Sequence, residues 1–510
     1  MKHNTSKIIS SSRRAVVKKR GLLAAVGVIG IFWALLYLPN LRSTPNWYGD
    51  ETLTLQVGLE LTKGHLQNRA VSCSFFSPAY NYQPGYAFVS GLASRITGGD
   101  ILGGRLFAVL IGLAVSLTGF FFLRRRYGSP TAFTYAFISL GYVQAIIHYR
   151  WIYPHSAVGL ALIGSITMLF RNPSLANDLK AGLFLTVGAF SNLLGIHAVL
   201  ASFACRLFKP KSWLPIIVPS VLVYSGILVW VYLCLGNLVV EDLKDLREMY
   251  ERYSVENAAG WKVLDNFYNF FTQDWFHLGV VLATLFCLNR RSYKLIVAAF
   301  VVLFLLLKNR QNLPLFYYQA MSVYPLLAAI LAIGINCMAS KIRLFVRPGD
   351  RLNSLLKWGP AVLALVIGLC SFPLILADNL PIKIRPWVVQ SCSDYEKAAK
   401  WLNQNSSPAD LVVAHWNLAW LLEARTVDVL MAAAWQGYPA GDYFPKPPPR
   451  EIFVYPANIS EVTYFVVTEL DQGWTFHQGQ VTVFLQQNLI NTWPVIFTAG
   501  NVLILKNPHF

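Results

Sequence analysis

Apolar runs of roughly membrane-spanning length recur along this chain, and they constrain its fold more than any other feature. A transmembrane helix needs about 20 predominantly apolar residues, and no soluble domain repeats such runs in this way. The sequence therefore predicts an α-helical polytopic membrane protein with about eleven transmembrane helices. The runs lie at 21–41, 101–123, 130–149, 154–170, 180–194, 196–208, 213–235, 276–289, 293–308, 316–338 and 358–377.

The distribution of charge supports this topology and disfavours a nucleic-acid partner. Only 13% of the residues are charged, against about 25% in ordinary soluble domains. The net charge of +18 comes mostly from short clusters of Lys and Arg between apolar runs. If each run crosses once, the clusters all fall on one side, as the positive-inside rule requires. We therefore expect a multi-pass protein of the plasma or inner membrane, with a cytoplasmic N-terminus and no nucleic-acid partner.

Two segments leave the count of spans open. Residues 79–96 are apolar, but they are short and contain Pro84. Counting them as a span would move the later basic clusters to the outer side, so we interpret them as a helix lying on the outer membrane surface. Residues 180–208 are compatible with either one span or two.

The charge pattern divides the chain into three parts. The basic N-terminus is expected in the cytoplasm, and the last part is long enough for a separate extracytoplasmic α/β domain. That last part contains a helical sequence at 393–405 and strand-like runs at 410–414, 462–468 and 501–505. The predicted parts are 1–20, a transmembrane unit 21–377 with external loops 42–100 and 236–275, and the α/β domain 378–510.

Two adjacent carboxylates, Asp50 and Glu51, follow the first span within the first external loop. They open a helical sequence, where acidic residues favour the positive end of the helix dipole, so a capping role is one interpretation. The other is a general base at the membrane surface, where a lipid headgroup meets an aqueous acceptor.

Cationic and aromatic residues gather near other predicted span ends on the outer side. Arg105 opens the second span, and an arginine there either extends to the interface or binds a lipid phosphate. Lys308 and Arg310 precede the aromatic pair Tyr317 and Tyr318, which also suits a phosphate headgroup, although a merely charged loop is the alternative.

A short external turn contains His148, Arg150 and His155 within eight residues. Its aromatic residues are typical membrane-interface anchors. The histidines invite a metal site, but a third protein ligand is not evident. His148, His155 and the earlier His65 are therefore candidates only for auxiliary roles or for binding an acceptor.

In their order along the chain these motifs resemble the GT-C superfamily of membrane glycosyltransferases, in particular the branch that uses polyprenyl-phosphate sugars. The motifs are Asp50-Glu51, the Tyr82-Gln83-Pro84-Gly85 segment, Gly104-Arg105, Arg150, the Tyr-Pro region at 317–325 and the helical start of the tail at 395–402. The resemblance covers nearly the whole chain. It implies a GT-C fold and transfer of a monosaccharide from a polyprenyl-phosphate carrier to an acceptor hydroxyl on the extracytoplasmic face, with inversion.

The resemblance also implies roles for individual residues. Asp50 becomes the catalytic base with Glu51 supporting it, and Arg105, Arg150, Lys308 and Arg310 become candidates for the lipid phosphate. Tyr82, Tyr317 and Tyr318 would line the donor site. The family often has an acidic residue shortly after the arginine of the external turn, where this chain has Pro154-His155.

No cofactor is expected to be required, because arginine and lysine are able to stabilise a departing phosphate; the missing acidic residue leaves a divalent metal open. The expected partners are the bilayer, the lipid-linked donor and a lipid, polysaccharide or protein acceptor. Three other functions are weighed. An O-antigen ligase or polymerase would favour a large late external loop, a transporter would place charges inside spans, and a non-catalytic scaffold would act through its tail.

Overall fold

The structure is a computed structural model of the chain. It describes residues 2–65, 84–192, 194–237, 240, 244, 261–288, 292–308, 317–344, 351–382, 388–439, 450, 453, 455–473, 479–489 and 493–510.

Helices dominate the part before residue 378. They are α1 (Lys2–Tyr37), α2 (Gly49–Leu61), α3 (Pro84–Ile96), α4 (Ile101–Tyr127), α5 (Ser129–Gly141), α6 (Val143–Arg150), α7 (His155–Leu169), α8 (Leu175–Ser191), α9 (Gly195–Ala204), α10 (Trp213–Leu235), α11 (Trp261–Thr272), α12 (Trp275–Cys287), α13 (Tyr293–Leu307), α14 (Tyr317–Ala320), α15 (Tyr324–Arg343), α16 (Arg351–Leu369) and α17 (Phe372–Leu376).

Several of these helices confirm a multi-pass membrane protein. In the part of the chain that the structure describes, five helices are long and apolar enough to cross a bilayer. Two bent pairs, α5 with α6 and α11 with α12, raise the number to seven if each pair is one span. Three further apolar helices are shorter. The predicted count of about eleven spans stays a prediction.

Both uncertain segments contain helices. The 180–208 segment contributes to two helices, α8, which ends at Ser191, and α9, which begins at Gly195. The described portion of 79–96 is α3, which packs on α2 at a glycine contact. A Cβ atom added at Gly58 would lie 2.1 Å from the carbonyl oxygen of Ala87, so glycine is required for this approach.

The start of α4 shows why the second span begins where it does. Asp100 caps the helix, because its carboxylate accepts a hydrogen bond of 2.7 Å from the backbone N–H of Leu102. The helix ends with three arginines in its last turn, which suits the negative end of its dipole, and Gly128 follows at φ +93°. The cap and the terminal glycine fix the two ends of α4, and therefore the position of Arg105 near its N-terminal end.

The tail, residues 378–510, contains a five-stranded sheet. The predicted helix and three predicted strands are present, and two short strands, β2 and β4, were not predicted. The elements are α18 (Cys392–Asn405), β1 (Leu411–Val413), α19 (Trp416–Ala419), β2 (Arg425–Val427), α20 (Val429–Trp435), β3 (Val462–Val467), α21 (Glu469–Gly473), α22 (Gly479–Asn488), β4 (Val495–Ala499) and β5 (Val502–Lys506).

The sheet has the order β2-β1-β3-β5-β4. The first three strands are parallel, and β5 joins β3 and β4 in antiparallel pairs. The carboxyl ends of parallel strands share one edge of a sheet, so the residues that follow β1, β2 and β3 lie along the same edge. That edge contacts α2, as described below.

Candidate active site

Glu51 and Arg105 form a buried ion pair at the base of α2. Both side chains have no exposed surface, and the guanidinium donates from Nε and Nη2 to the two carboxylate oxygens at 2.7 Å each. The same carboxylate accepts from the backbone N–H groups of Ile152 at 3.1 Å and Tyr48 at 3.4 Å. Glu51 therefore joins three segments of the chain at the start of the helix.

This pairing changes the expectation for Arg105. We expected it to bind a lipid phosphate, but its two best-placed donors are used by Glu51 and its Nη1 donates to the carbonyl oxygen of Leu41 at 2.9 Å. With no exposed surface, the guanidinium has no access to a lipid headgroup. Arg105 is a counter-ion for Glu51 in this structure.

Asp50 lies beside this pair in a different environment. Its Oδ2 atom accepts hydrogen bonds from the phenols of Tyr48 at 3.0 Å and Tyr153 at 3.1 Å. Burial raises the pKa of Asp50, an effect that the two phenolic hydrogen bonds oppose. Among the described residues no ion pair is found to Asp50, in contrast to Glu51. The side chain remains partly exposed.

The two tyrosines were not identified as site residues from the sequence. Tyr153 belongs to the external turn whose aromatic residues were interpreted as membrane anchors. The turn instead folds over α2, where Trp151 stacks on Tyr48 with ring centroids 5.1 Å apart. A tyrosine two residues before Asp50 and another in this turn were the signals available.

Arg150 stabilises the loop that leads to Asp50. It has no exposed surface and donates to the backbone carbonyl oxygens of Thr44 and Leu36, at 2.8 Å and 2.9 Å, and to that of Pro39. This use of its donors does not fit the expected binding of a lipid phosphate, because all three directions of the guanidinium face carbonyl oxygens. The arginine fixes residues 36–44 instead.

The histidines lie at different distances from the carboxylates. The ring of His155 stacks on that of Tyr153 at 4.7 Å, so it adjoins a direct partner of Asp50. His148 is buried with its ring 5.3 Å from that of Trp151. His65 is near the other end of α2, where its Nδ1 atom lies 2.8 Å from the carboxylate of Glu60.

The remaining candidates come from other parts of the chain. Lys308 is exposed directly after α13, and Tyr317 and Tyr318 open α14, which packs near α6 and α7. Tyr82 and Arg310 lie outside the described residues. Within the ranges that the structure describes, no group of three or more His, Cys, Asp or Glu side chains is arranged to hold a metal ion.

An apolar cavity of about 720 Å³ opens at the far end of α2. Its walls come from the ends of α2 and α3 and from α8 and α10. About 16 Å of helix separates Leu61, which lines the cavity, from Asp50, at 1.5 Å per residue. The other lining residues are Gly64, Pro84, Phe88, Leu183, Thr186, Val187, Phe190, Val223, Gly226, Ile227 and Trp230.

Comparison with solved structures identifies the fold as that of the GT-C class, as the sequence resemblance predicted. The chain is similar to ArnT from Cupriavidus metallidurans bound to undecaprenyl phosphate, with a TM-score of 0.61 and 12% identity. The match covers 95% of this chain and 98% of ArnT. The apo state of ArnT matches with a TM-score of 0.60 and 11% identity, over 96% of this chain and 98% of ArnT.

Two further structures match with lower scores. The archaeal oligosaccharyltransferase AglB from Archaeoglobus fulgidus, in complex with an inhibitory peptide and a dolichol-phosphate, has a TM-score of 0.52 and 11% identity, over 88% of this chain and 69% of AglB. The arabinofuranosyltransferase AftD from Mycobacteria has a TM-score of 0.52 and 12% identity, over 96% of this chain and 40% of AftD. No protein-family pattern and no curated protein sequence matches the chain.

Proposed function

We propose that this protein is a membrane glycosyltransferase that moves a monosaccharide from a polyprenyl-phosphate carrier to an acceptor hydroxyl on the extracytoplasmic face. The observation that carries the proposal is the pair of adjacent carboxylates in unlike environments. Glu51 is neutralised by Arg105, whereas Asp50 is held by two phenols through Oδ2 alone. Carboxylates whose environments differ in this way take different chemical roles.

Asp50 is suited to act as the general base. Burial raises its pKa toward the working pH, and a base is most effective when its pKa lies near that pH. Tyr48 and Tyr153 fix the orientation of the carboxylate without neutralising it. Oδ1 accepts no hydrogen bond that the described residues supply, so it is free to receive a proton from an acceptor hydroxyl.

The reaction proposed at this site is a single displacement. Asp50 takes the proton of the acceptor hydroxyl while the acceptor oxygen attacks the anomeric carbon. The bond from that carbon to the phosphate oxygen breaks, the electron pair leaves with the polyprenyl phosphate, and the sugar configuration inverts. Lys308 and Arg310 are the cations that we assign to the departing phosphate, since Arg105 and Arg150 are committed to internal partners.

The apolar cavity supports a lipid-linked donor. Its volume of about 720 Å³ falls within the range typical of ligand sites, and its walls are almost entirely hydrocarbon. A polyprenyl chain is the part of the donor that matches such walls. The likeness to ArnT bound to undecaprenyl phosphate supports the same class of carrier.

The test is sugar transfer by the purified full-length protein in nanodiscs with a panel of polyprenyl-phosphate monosaccharides. Asp50→Asn is expected to lower transfer by about 10²- to 10⁴-fold, the contribution of a general base. Asp265→Asn is the matched control, because it makes the same change of carboxylate to amide at an exposed position of α11. NMR of the product reports its anomeric configuration. An Asp50→Asn variant as active as Asp265→Asn would refute the assignment of the base, and a folded wild type inactive with every donor would refute the function.

A further inference from the structure

The tail contacts the chain on the N-terminal side of Asp50. The backbone N–H of Val389 donates to the carbonyl oxygen of Trp47 at 3.0 Å, and Tyr48 pairs with Val388 in an isolated antiparallel bridge. The indole of Trp47 packs edge-on against Trp420, with ring centroids 5.2 Å apart. The tail therefore holds Trp47 and Tyr48, the second of which is a direct partner of Asp50.

The tail also contacts α2 on the C-terminal side of Asp50. The Oγ1 atom of Thr52 lies 2.6 Å from Oδ1 of Asn417. One turn further along, the side-chain amide of Gln56 donates to the carbonyl oxygen of Trp416 at 2.8 Å. Both tail residues belong to α19, on the edge formed by the carboxyl ends of the parallel strands.

The hydrogen bonds of Thr52 link Asn417 to the backbone at the site. The Thr52 hydroxyl also lies 2.9 Å from the carbonyl oxygen of Gly49, but a hydroxyl has one hydrogen to donate. In this orientation the buried Nδ2 atom of Asn417 has no partner among the described residues. If the Asn417 amide is turned over, Nδ2 donates to Thr52 and Thr52 donates to Gly49, so the hydroxyl accepts one hydrogen bond and donates one.

Burial favours the conformation in which the hydrogen bonds from Asn417 to Thr52 and from Thr52 to Gly49 are both made. Thr52 and Asn417 both have no exposed surface, so an unmade hydrogen bond would not be replaced by water. Asn417 is itself fixed by His415, whose Nδ1 accepts from the Asn417 backbone N–H at 3.2 Å. Burial lowers the pKa of His415 to about 3, so the ring stays neutral and keeps this acceptor at ordinary pH.

We infer that Thr52 and Asn417 are positioning residues for Asp50. Through them the tail fixes the position of the first turn of α2, which carries Asp50. The inference rests on the proposed function, because it takes Asp50 as the base. Neither residue touches the reacting atoms. Their effect is on the position of the carboxylate, and a misplacement of about 1 Å in an active site costs about 10²-fold in rate.

The experiment compares Thr52→Val, Thr52→Ser, Asn417→Ala and the double variant Thr52→Val/Asn417→Ala in the same transfer assay. Thr52→Val and Asn417→Ala should each lower kcat by about 10- to 100-fold and leave the KM for the donor unchanged. Thr52→Ser keeps the hydroxyl and should retain wild-type kcat. The double variant should be no slower than the slower single variant, since the two side chains act in one hydrogen-bond chain. Unchanged kcat in the single variants, or losses that multiply, would overturn the inference.

Hydrogen exchange gives a readout that does not require turnover. In Asn417→Ala, peptides covering residues 49–55 should exchange faster than in the wild type, whereas those covering β3 should not change, which establishes that the tail is folded. Unchanged exchange at 49–55 would contradict the positioning role even if no donor were turned over. A wild type without transfer activity would overturn the proposed function alone, because the exchange comparison still tests the contact.

Discussion

The two adjacent carboxylates at the start of α2 should respond in opposite ways to the loss of their charge. Replacing Glu51 by Gln should destabilise the protein, and replacing Asp50 by Asn should not. The change is chemically the same at two neighbouring positions, a carboxylate converted to its amide. Any difference in the outcome therefore reports the surroundings of each side chain.

The size of the Glu51 effect follows from its contacts. Its carboxylate receives two hydrogen bonds of 2.7 Å from Arg105, and neither side chain is exposed. Glu51→Gln leaves the guanidinium charge buried without a counter-ion and turns an amide N–H₂ toward its donors. Removing one partner of a buried ion pair costs about 3–5 kcal/mol.

Asp50→Asn is expected to leave the stability of the protein unchanged or to raise it, unlike Glu51→Gln. Burial raises the pKa of Asp50, so the folded state disfavours the ionised carboxylate relative to the unfolded chain. A neutral amide avoids that desolvation and still accepts hydrogen bonds from Tyr48 and Tyr153. Asp50→Asn should therefore leave the Tm unchanged or raise it, while transfer is lost.

The assay is thermal unfolding of the wild type, Asp50→Asn and Glu51→Gln in one detergent at pH 7. The Tm of Glu51→Gln should fall clearly below that of the wild type. The double variant Glu51→Gln/Arg105→Met should recover part of the loss, because no unpaired charge remains buried. Equal losses of Tm in the two single variants would refute the reasoning, as would a Glu51→Gln variant as stable as the wild type.

Two further predictions concern the tail and the α2–α3 contact. Burial raises the pKa of Asp471 from its ordinary 3.8 to about 7. Between these two pH values the folded state binds more protons than the unfolded chain, so the free energy of unfolding falls as the pH rises from one to the other. Asp471→Asn should raise the Tm over that of the wild type at pH 8 but not at pH 4, and an equal difference at both values would contradict this. Gly58→Ala would place a methyl group 2.1 Å from a backbone carbonyl, so it should destabilise by about 1–3 kcal/mol. Gly359→Ala, with no atom within 4 Å of the added carbon, should not lower the Tm.

Apolar runs predicted the membrane class and strand-like runs predicted the main strands of the tail, because both patterns are local. The GT-C fold was implied by the resemblance of the motifs in their order along the chain. The sequence also singled out Asp50 and Glu51, whose position at a helix start is a local property. It did not predict the roles of Arg105 and Arg150, because the sequence does not reveal what faces a guanidinium. The bond between Thr52 and Asn417 joins positions 365 residues apart, and nothing in either neighbourhood marks the other.

The contacts that the tail makes on both sides of Asp50 have a consequence for biosynthesis. Asp50 leaves the ribosome early, whereas Asn417 is made 365 residues after Thr52. A nascent chain whose helices are already in the bilayer lacks the contacts of the tail with Trp47, Tyr48 and α2. The proposed positioning of Asp50 by the tail therefore implies that full activity is reached only once the tail has folded and docked, and that truncated or stalled chains would turn over substrate slowly.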